Sequence, residues 1–107
     1  MNIQDVSMRI KFQRTDGKEM EIDLKAESDC GSVILIEVKK MKKAIGVNTI
    51  RDFIEKIDRY SDLHPKQKVL PAILSVGGFT TKAKALCQSE KIGMATTIPY
   101  LINDQKR

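Results

Sequence analysis

Ser32-Val33-Ile34-Leu35-Ile36-Glu37-Val38-Lys39-Lys40 is the most continuous apolar run in the chain, and it carries two charges, Glu37 and Lys39, inside it. Its residues are mostly β-branched and Gly31 bounds it on the left, so it reads as a buried central strand. Side chains alternate along a strand, which places Glu37 and Lys39 on one face and Ile36 and Val38 on the other. A carboxylate and an amine at the end of a buried strand cost free energy unless something pairs with them. They either pair with each other and their neighbours, or they hold a metal ion and a substrate.

Upstream, Met20-Glu21-Ile22-Asp23-Leu24-Lys25 alternates apolar and polar without a break. On a regular strand Met20, Ile22 and Leu24 face one way, and Glu21, Asp23 and Lys25 the other. A hairpin between this strand and the central one brings Asp23 near Glu37, giving two carboxylates and a lysine on one sheet face. Residues 6–14 alternate as well, with Met8, Ile10 and Phe12 opposed to Arg9, Lys11 and Gln13. Thr15-Asp16-Gly17-Lys18 and Ser28-Asp29-Cys30-Gly31 supply the two turns of a three-strand antiparallel meander.

Downstream, Lys39, Lys40, Lys42 and Lys43 cluster around Met41, as a solvated loop or as a phosphate-contacting edge beside the carboxylates. Gly46-Val47-Asn48-Thr49 opens a helix that Asn48 or Thr49 can cap, with Asp52 placed like the acid of a capping box. Ile50, Phe53, Ile54, Ile57 and Tyr60 form its apolar stripe, with Arg51, Glu55, Lys56, Asp58 and Arg59 off it and a Glu55–Arg59 pair at i,i+4. The helix runs to about Asp62. A fourth strand covers 69–76, its regular part starting at Ala72 because Pro71 interrupts it. A second helix opens at Thr80 or Thr81 and runs to about Lys91, with Gly93 suited to the C′ position. Residues 94–98 form a short last strand that Pro99 stops, and 103–107 are a polar tail.

Asp23, thirteen intervening residues, then Glu37-Val38-Lys39 resembles the Asp…Glu-x-Lys motif of the PD-(D/E)xK (restriction endonuclease-like) nuclease superfamily. The motif is three residues long, and charged residues make up roughly 25% of an average chain, so a bare Glu-x-Lys is common. The setting adds to it: a hydrophobic strand, an acid one strand earlier and a helix afterwards. The order strand-strand-strand-helix-strand-helix-strand is similar to that family's core, an α/β (α+β) fold with a mixed central sheet. The family's usual leading helix, often carrying another acid, is missing from 1–107, which reads as a single domain, and no glutamine follows Glu-x-Lys. The missing cover favours a homo-oligomer or a domain of a longer protein.

The resemblance implies a nuclease that hydrolyses phosphodiester bonds in DNA with Mg²⁺ or Mn²⁺. Asp23 and Glu37 would ligate the ion, with the Val38 carbonyl as a third ligand, because hard divalent ions want oxygen. Lys39 would orient or deprotonate the attacking water, and Glu21 would serve a second metal or its water. Lys40, Lys42 and Lys43 would contact DNA. The alternative is a catalytically inactive nuclease-like domain for DNA binding or subunit association. Alternating charges on an antiparallel face are commonly its solvated side, and Asp23, Lys25, Glu37 and Lys39 would then be cross-strand ion pairs.

Composition narrows the field. With 107 residues the chain has room for one core, and 41% hydrophobic residues is ordinary for a globular domain. Nineteen Lys plus Arg against 14 Asp plus Glu gives +5, a mild bias towards polyanions. With no tryptophan and few aromatics, single-strand binding by base stacking is disfavoured. No apolar run approaches the ~20 residues of a membrane helix, and no signal peptide is expected. Cys30 and Cys87 lie far apart and read as reduced cytoplasmic thiols rather than zinc ligands, and His64 reads as a surface residue beside Pro65.

Overall fold

The computed structural model describes residues 3–14 and 16–96. Its elements are β1 (Ile3–Gln13), β2 (Glu19–Ser28), β3 (Ser32–Lys39), α1 (Val47–Leu63), β4 (Lys68–Ser75), α2 (Thr81–Ser89) and β5 (Gly93–Ala95). They build one sheet in the order β1-β2-β3-β4-β5. The first two pairings are antiparallel and the last two parallel. Short turns suffice for the meander: Gly17, at φ 86°, closes the first, where Arg14 N–H donates to the Lys18 carbonyl. The parallel pairs need crossovers, which α1 and α2 supply.

The apolar stripe of α1 spans the core. Ile50 and Phe53 join Ile45, Ile73, Phe79, Ala83, Cys87 and Ile92 in one buried cluster, and Tyr60 joins Ile22, Val33 and Leu35 in a second. Ile57 packs against both. Tyr60 is fixed further by its hydroxyl, which donates to Gln67 Oε1 at 2.8 Å, and by the edge of Phe12, 5.9 Å between ring centroids. The exposed His64 stacks on Tyr60 at 4.3 Å. On the other face of the sheet, Leu24, Ile36, Val38, Leu74 and Met94 line an apolar hollow of about 330 Å³.

Several local expectations are corrected. The alternation of β2 is not continuous, because Ile22 packs with Leu35 and Tyr60 while Leu24 shares the opposite hollow with Val38. The chain reverses its facing at Asp23, where the ladder with β3 has ended at the pair Leu24↔Ile36. Gly46 is the N-cap of α1 and no side chain caps it. A tertiary contact sets that start: Ile45 forms a parallel bridge with Phe79. Pro71 sits inside β4 opposite Leu35, and β5 reaches only as far as Ala72. The strand edge is therefore open at Pro71, and a missing N–H costs little there.

Thr80 caps α2 through its hydroxyl, which accepts from Ala83 N–H at 3.2 Å. That helix ends at Ser89, and Lys91, at φ 57°, takes the left-handed position instead of Gly93, which starts β5. Glu55 and Arg59 do not pair with each other. Arg14 takes Glu55 at 2.8 Å, and Arg59 Nε donates to the Gln13 carbonyl at 2.7 Å, so both tie α1 to the end of β1. Thr15, and the expected end of the last strand with its proline and tail, lie outside the described residues.

The loop from β3 to α1 runs alongside the residues after β4. Val76 N–H donates to the Lys39 carbonyl, Ile45 N–H to the Gly78 carbonyl and Thr80 N–H to the Ile45 carbonyl, each at 3.0 Å. Gly77 permits this approach, since a Cβ there would collide with the backbone of Lys42 and Lys43. Gly77→Ala is expected to lower stability by about 1–3 kcal/mol through that overlap. Gly46→Ala, whose Cβ would meet nothing within 4 Å, is expected to lose under about 1 kcal/mol. Urea unfolding of both variants checks this; equal midpoints would show that the loop yields freely.

Candidate active site

The site lies where β2 and β3 part. The run of β3 carries Glu37 to the helix-covered face, where its side chain is only 6% exposed. A buried carboxylate requires compensation. Lys56 of α1 supplies it, with Nζ 2.7 Å from Glu37 Oε2, and Lys39 stands at 3.7 Å from the same oxygen. Lys56 follows Phe53 by three residues and precedes Ile57 and Tyr60, so it belongs to the inward stripe of α1, not outside it as the periodicity alone suggests. A lysine at an inward helical position is the sequence signal that a buried acid awaits it.

Asp23 ends the stretch of β2 that pairs with β3. Its Oδ2 accepts the Val38 N–H at 2.7 Å, so the side chain replaces a backbone acceptor at the point where the strands separate. Among the described residues Asp23 Oδ1 and Glu37 Oε1 have no protein partner. The two carboxylates border different hollows. Glu37 lines one of about 410 Å³ with Glu21, Asp52 and Lys56, and Asp23 lines one of about 520 Å³ with Arg9, Val38 and Lys40. Lys39 borders both. Glu21 thus joins Glu37 and Lys39 in one hollow, and Asp23, expected beside Glu37 on one sheet face, instead shares the other hollow with Lys39.

Lys40, Lys42 and Lys43 follow as an exposed loop and form no ion pair among the described residues. Lys40 reaches the Asp23 hollow, while Lys42 and Lys43 have their backbone against Gly77. Arg9, which the sequence places on the polar side of an ordinary strand, borders the Asp23 hollow as well. Among the described residues no three His, Cys, Asp or Glu side chains gather as a metal site. Asp23 Oδ1 and Glu37 Oε1 are oxygen donors of the kind a hard divalent ion takes, and each carboxylate borders its own hollow. Cys30 lies in the β2–β3 turn, away from these groups. Hydrogen bonding with Ser28, then Ser32, holds the pKa of its exposed thiol down at about 7, while burial pushes Cys87 up.

A family model described as restriction endonuclease, the Mrr catalytic domain, matches residues 4–97. Among solved structures the chain resembles a repair endonuclease from Pyrococcus abyssi, with TM-score 0.69 and 16% identity over 92% of this chain and 40% of that one. It also resembles AF1548, a protein of unknown function, with TM-score 0.63 and 23% identity over 84% of this chain and 47% of the other. A third likeness is to EndoMS in a dsDNA complex, with TM-score 0.56 and 13% identity over 81% and 34%. The chain thus spans less than half the length of each of these proteins, and at such identities the likeness is one of fold. No curated protein gives a significant match. Among the described residues no helix is long and apolar enough to cross a membrane. The mixed five-strand sheet with its two crossover helices is a restriction endonuclease-like fold of the PD-(D/E)xK type, and the chain belongs to the restriction endonuclease family.

Proposed function

We propose that this chain is a metal-dependent nuclease domain that hydrolyses phosphodiester bonds in DNA. The observation that supports the reading is the placement of Asp23 on the Val38 N–H, between Glu37 and Lys39 in the chain, where β2 and β3 part and within the residues that the family model matches. Asp23 and Glu37 would hold Mg²⁺ or Mn²⁺, with the Val38 carbonyl as a further ligand. When bound, such an ion polarises the scissile phosphate and lowers the pKa of a water molecule. Lys39, at the border of both hollows, orients that water and offsets negative charge building on the phosphate. Glu21 would hold water beyond the direct ligands. Lys40, Lys42 and Lys43 contact the phosphate backbone, and the net +5 of the chain favours the approach of a polyanion. A dsDNA complex of a protein with a similar fold supports DNA as the polymer. A second copy or another segment covers the open sheet face, and the free thiols Cys30 and Cys87 suit the cytoplasm.

A second reading has its own observation. Lys56 already neutralises Glu37 at 2.7 Å, as it would in a domain that binds DNA or associates without cutting it. The two readings part in the response to metal. Lys56→Met leaves Glu37 short of a cation and is expected to lower metal-free stability by roughly 1–3 kcal/mol, with Glu37→Gln in the same chain restoring part of the loss. In the nuclease reading Mg²⁺ raises the melting temperature of Lys56→Met more than that of the parent, because Lys56 no longer competes for the carboxylate. Melting temperatures indifferent to Mg²⁺ and Mn²⁺ in both proteins favour the ion-pair reading.

Cleavage is tested on single-stranded, duplex and branched DNA. The parent is expected to cut at least one with Mg²⁺ or Mn²⁺, and Glu37→Gln to lose activity by a factor of 100 or more, roughly what removal of an electrostatic stabiliser costs. If nothing is cut with either metal, the nuclease reading fails.

The lysine loop is tested by binding. Replacing Lys40, Lys42 and Lys43 together with alanine is expected to flatten the salt dependence of DNA affinity by about one unit per lost phosphate contact. An unchanged slope in a titration by fluorescence anisotropy makes this loop solvated surface.

A further inference from the structure

Arg9 stands in the middle of β1 with left-handed backbone, φ 55°. That region crowds Cβ against the following carbonyl, and a long side chain gains nothing there that glycine would not have more cheaply. Arg9 falls between the pairs Met8↔Leu24 and Ile10↔Ile22, across from Asp23. Both strands reverse their facing at this level. Ile22 lies under α1, and Met8 and Leu24 line the Asp23 hollow on the other side. The irregular backbone of Arg9 and the side-chain acceptor of Asp23 are two sides of one kink in the β1–β2 ribbon.

The charge balance of the hollow beneath the kink is uneven. Arg9, Lys39 and Lys40 border it; Lys39 is shared with Glu37 at 3.7 Å, which leaves Arg9 and Lys40 with one carboxylate, Asp23, whose Oδ2 is held by Val38 N–H. Among the described residues Arg9 makes no ion pair, although Asp23 stands opposite. An exposed guanidinium and the Lys40 ammonium, neither in an ion pair among the described residues, describe a place for an external anion. Residues held in costly backbone regions cluster where a ligand is gripped. Guanidinium offers two parallel donors that match two phosphate oxygens, which an ammonium cannot do.

We propose that Arg9 is a phosphate-binding residue that clamps the DNA backbone beside the scissile bond, on the Asp23 side of β3. The inference deepens the nuclease reading and rests on it. It assigns the hollow bordered by Arg9, Asp23 and Lys40 to the backbone phosphate next to the one attacked, and the left-handed geometry is what sets the guanidinium there.

Three substitutions test it, read by DNA affinity across a salt series and by melting temperature. Arg9→Gln is expected to weaken binding roughly tenfold and to reduce the salt slope by about one. Arg9→Lys keeps the slope and recovers part of the affinity, since it retains charge but not the paired donors. Arg9→Gly loses affinity as Arg9→Gln does, yet melts at the parent's temperature or above, because glycine accepts the left-handed backbone without strain. If the parent binds DNA and Arg9→Gln and Arg9→Gly bind with its affinity and slope, the phosphate role is overturned and the nuclease reading stands. A lowered melting temperature in Arg9→Gly with unchanged binding also overturns it, by making Arg9 structural. A parent that binds no DNA overturns both.

Discussion

A carboxylate buried at the end of a central strand is the constraint on which this domain turns. Leaving the Glu37 charge without a partner would cost several kcal/mol, a large share of the 5–15 kcal/mol that holds a domain of this size together. Lys56 therefore must lie over it. Because Phe53, Ile57 and Tyr60 share its side of α1, seating that one ammonium fixes the rotation of the helix about its axis and its height along β3. The crossover to β4 then has little freedom, and the parallel register from Ser32↔Lys68 to Lys39↔Ser75 follows. Charge pairing and apolar packing select the same placement, and such agreement between levels is what makes a fold unique.

The β1–β2 ribbon serves two partners. Up to Asp23 its inner residues pack under α1, where Arg14–Glu55, Arg59 with the Gln13 carbonyl and the Phe12–Tyr60 contact fasten it. Beyond Asp23 it pairs with β3 and turns Leu24 to the opposite face. The carboxylate of Asp23 closes the seam by accepting Val38 N–H, and the groups proposed for catalysis sit along that seam. Tight packing on the helix side and a seam held by few contacts give the site a rigid support and an open approach.

Much of this was written in plain periodicity. The β-branched run of β3, the turns of the meander and the 3.6-residue stripe of α1 each express a local preference that the tertiary structure keeps. Glu37 and Lys39 come to one face because a regular strand alternates. Where tertiary contacts decide, the sequence is mute. The start of α1 obeys the Ile45–Phe79 bridge rather than the Asn48 and Thr49 side chains, and Pro71 is tolerated because β5 is short. The reversal at Asp23 and Arg9 breaks an alternation that looks perfect on paper, since nothing in an arginine announces left-handed backbone. It explains why Asp23 and Glu37, next to each other by parity, border separate hollows.

The kink in β1 has a second effect, which concerns the solubility of the fold. β1 is an edge strand of eleven residues, with Ile3, Val6 and Met8 47%, 58% and 71% exposed. A flat edge of that length and character is a template on which another chain can add its own strand, the first step of fibril growth. Left-handed geometry at Arg9 turns the free N–H and C=O groups out of line halfway along, and Lys11 places a charge just beyond. The opposite edge, β5, is only three residues long. Among the described residues neither border offers an uninterrupted row of hydrogen-bonding groups, so these edges can meet other copies through side chains without zipping together through their backbones.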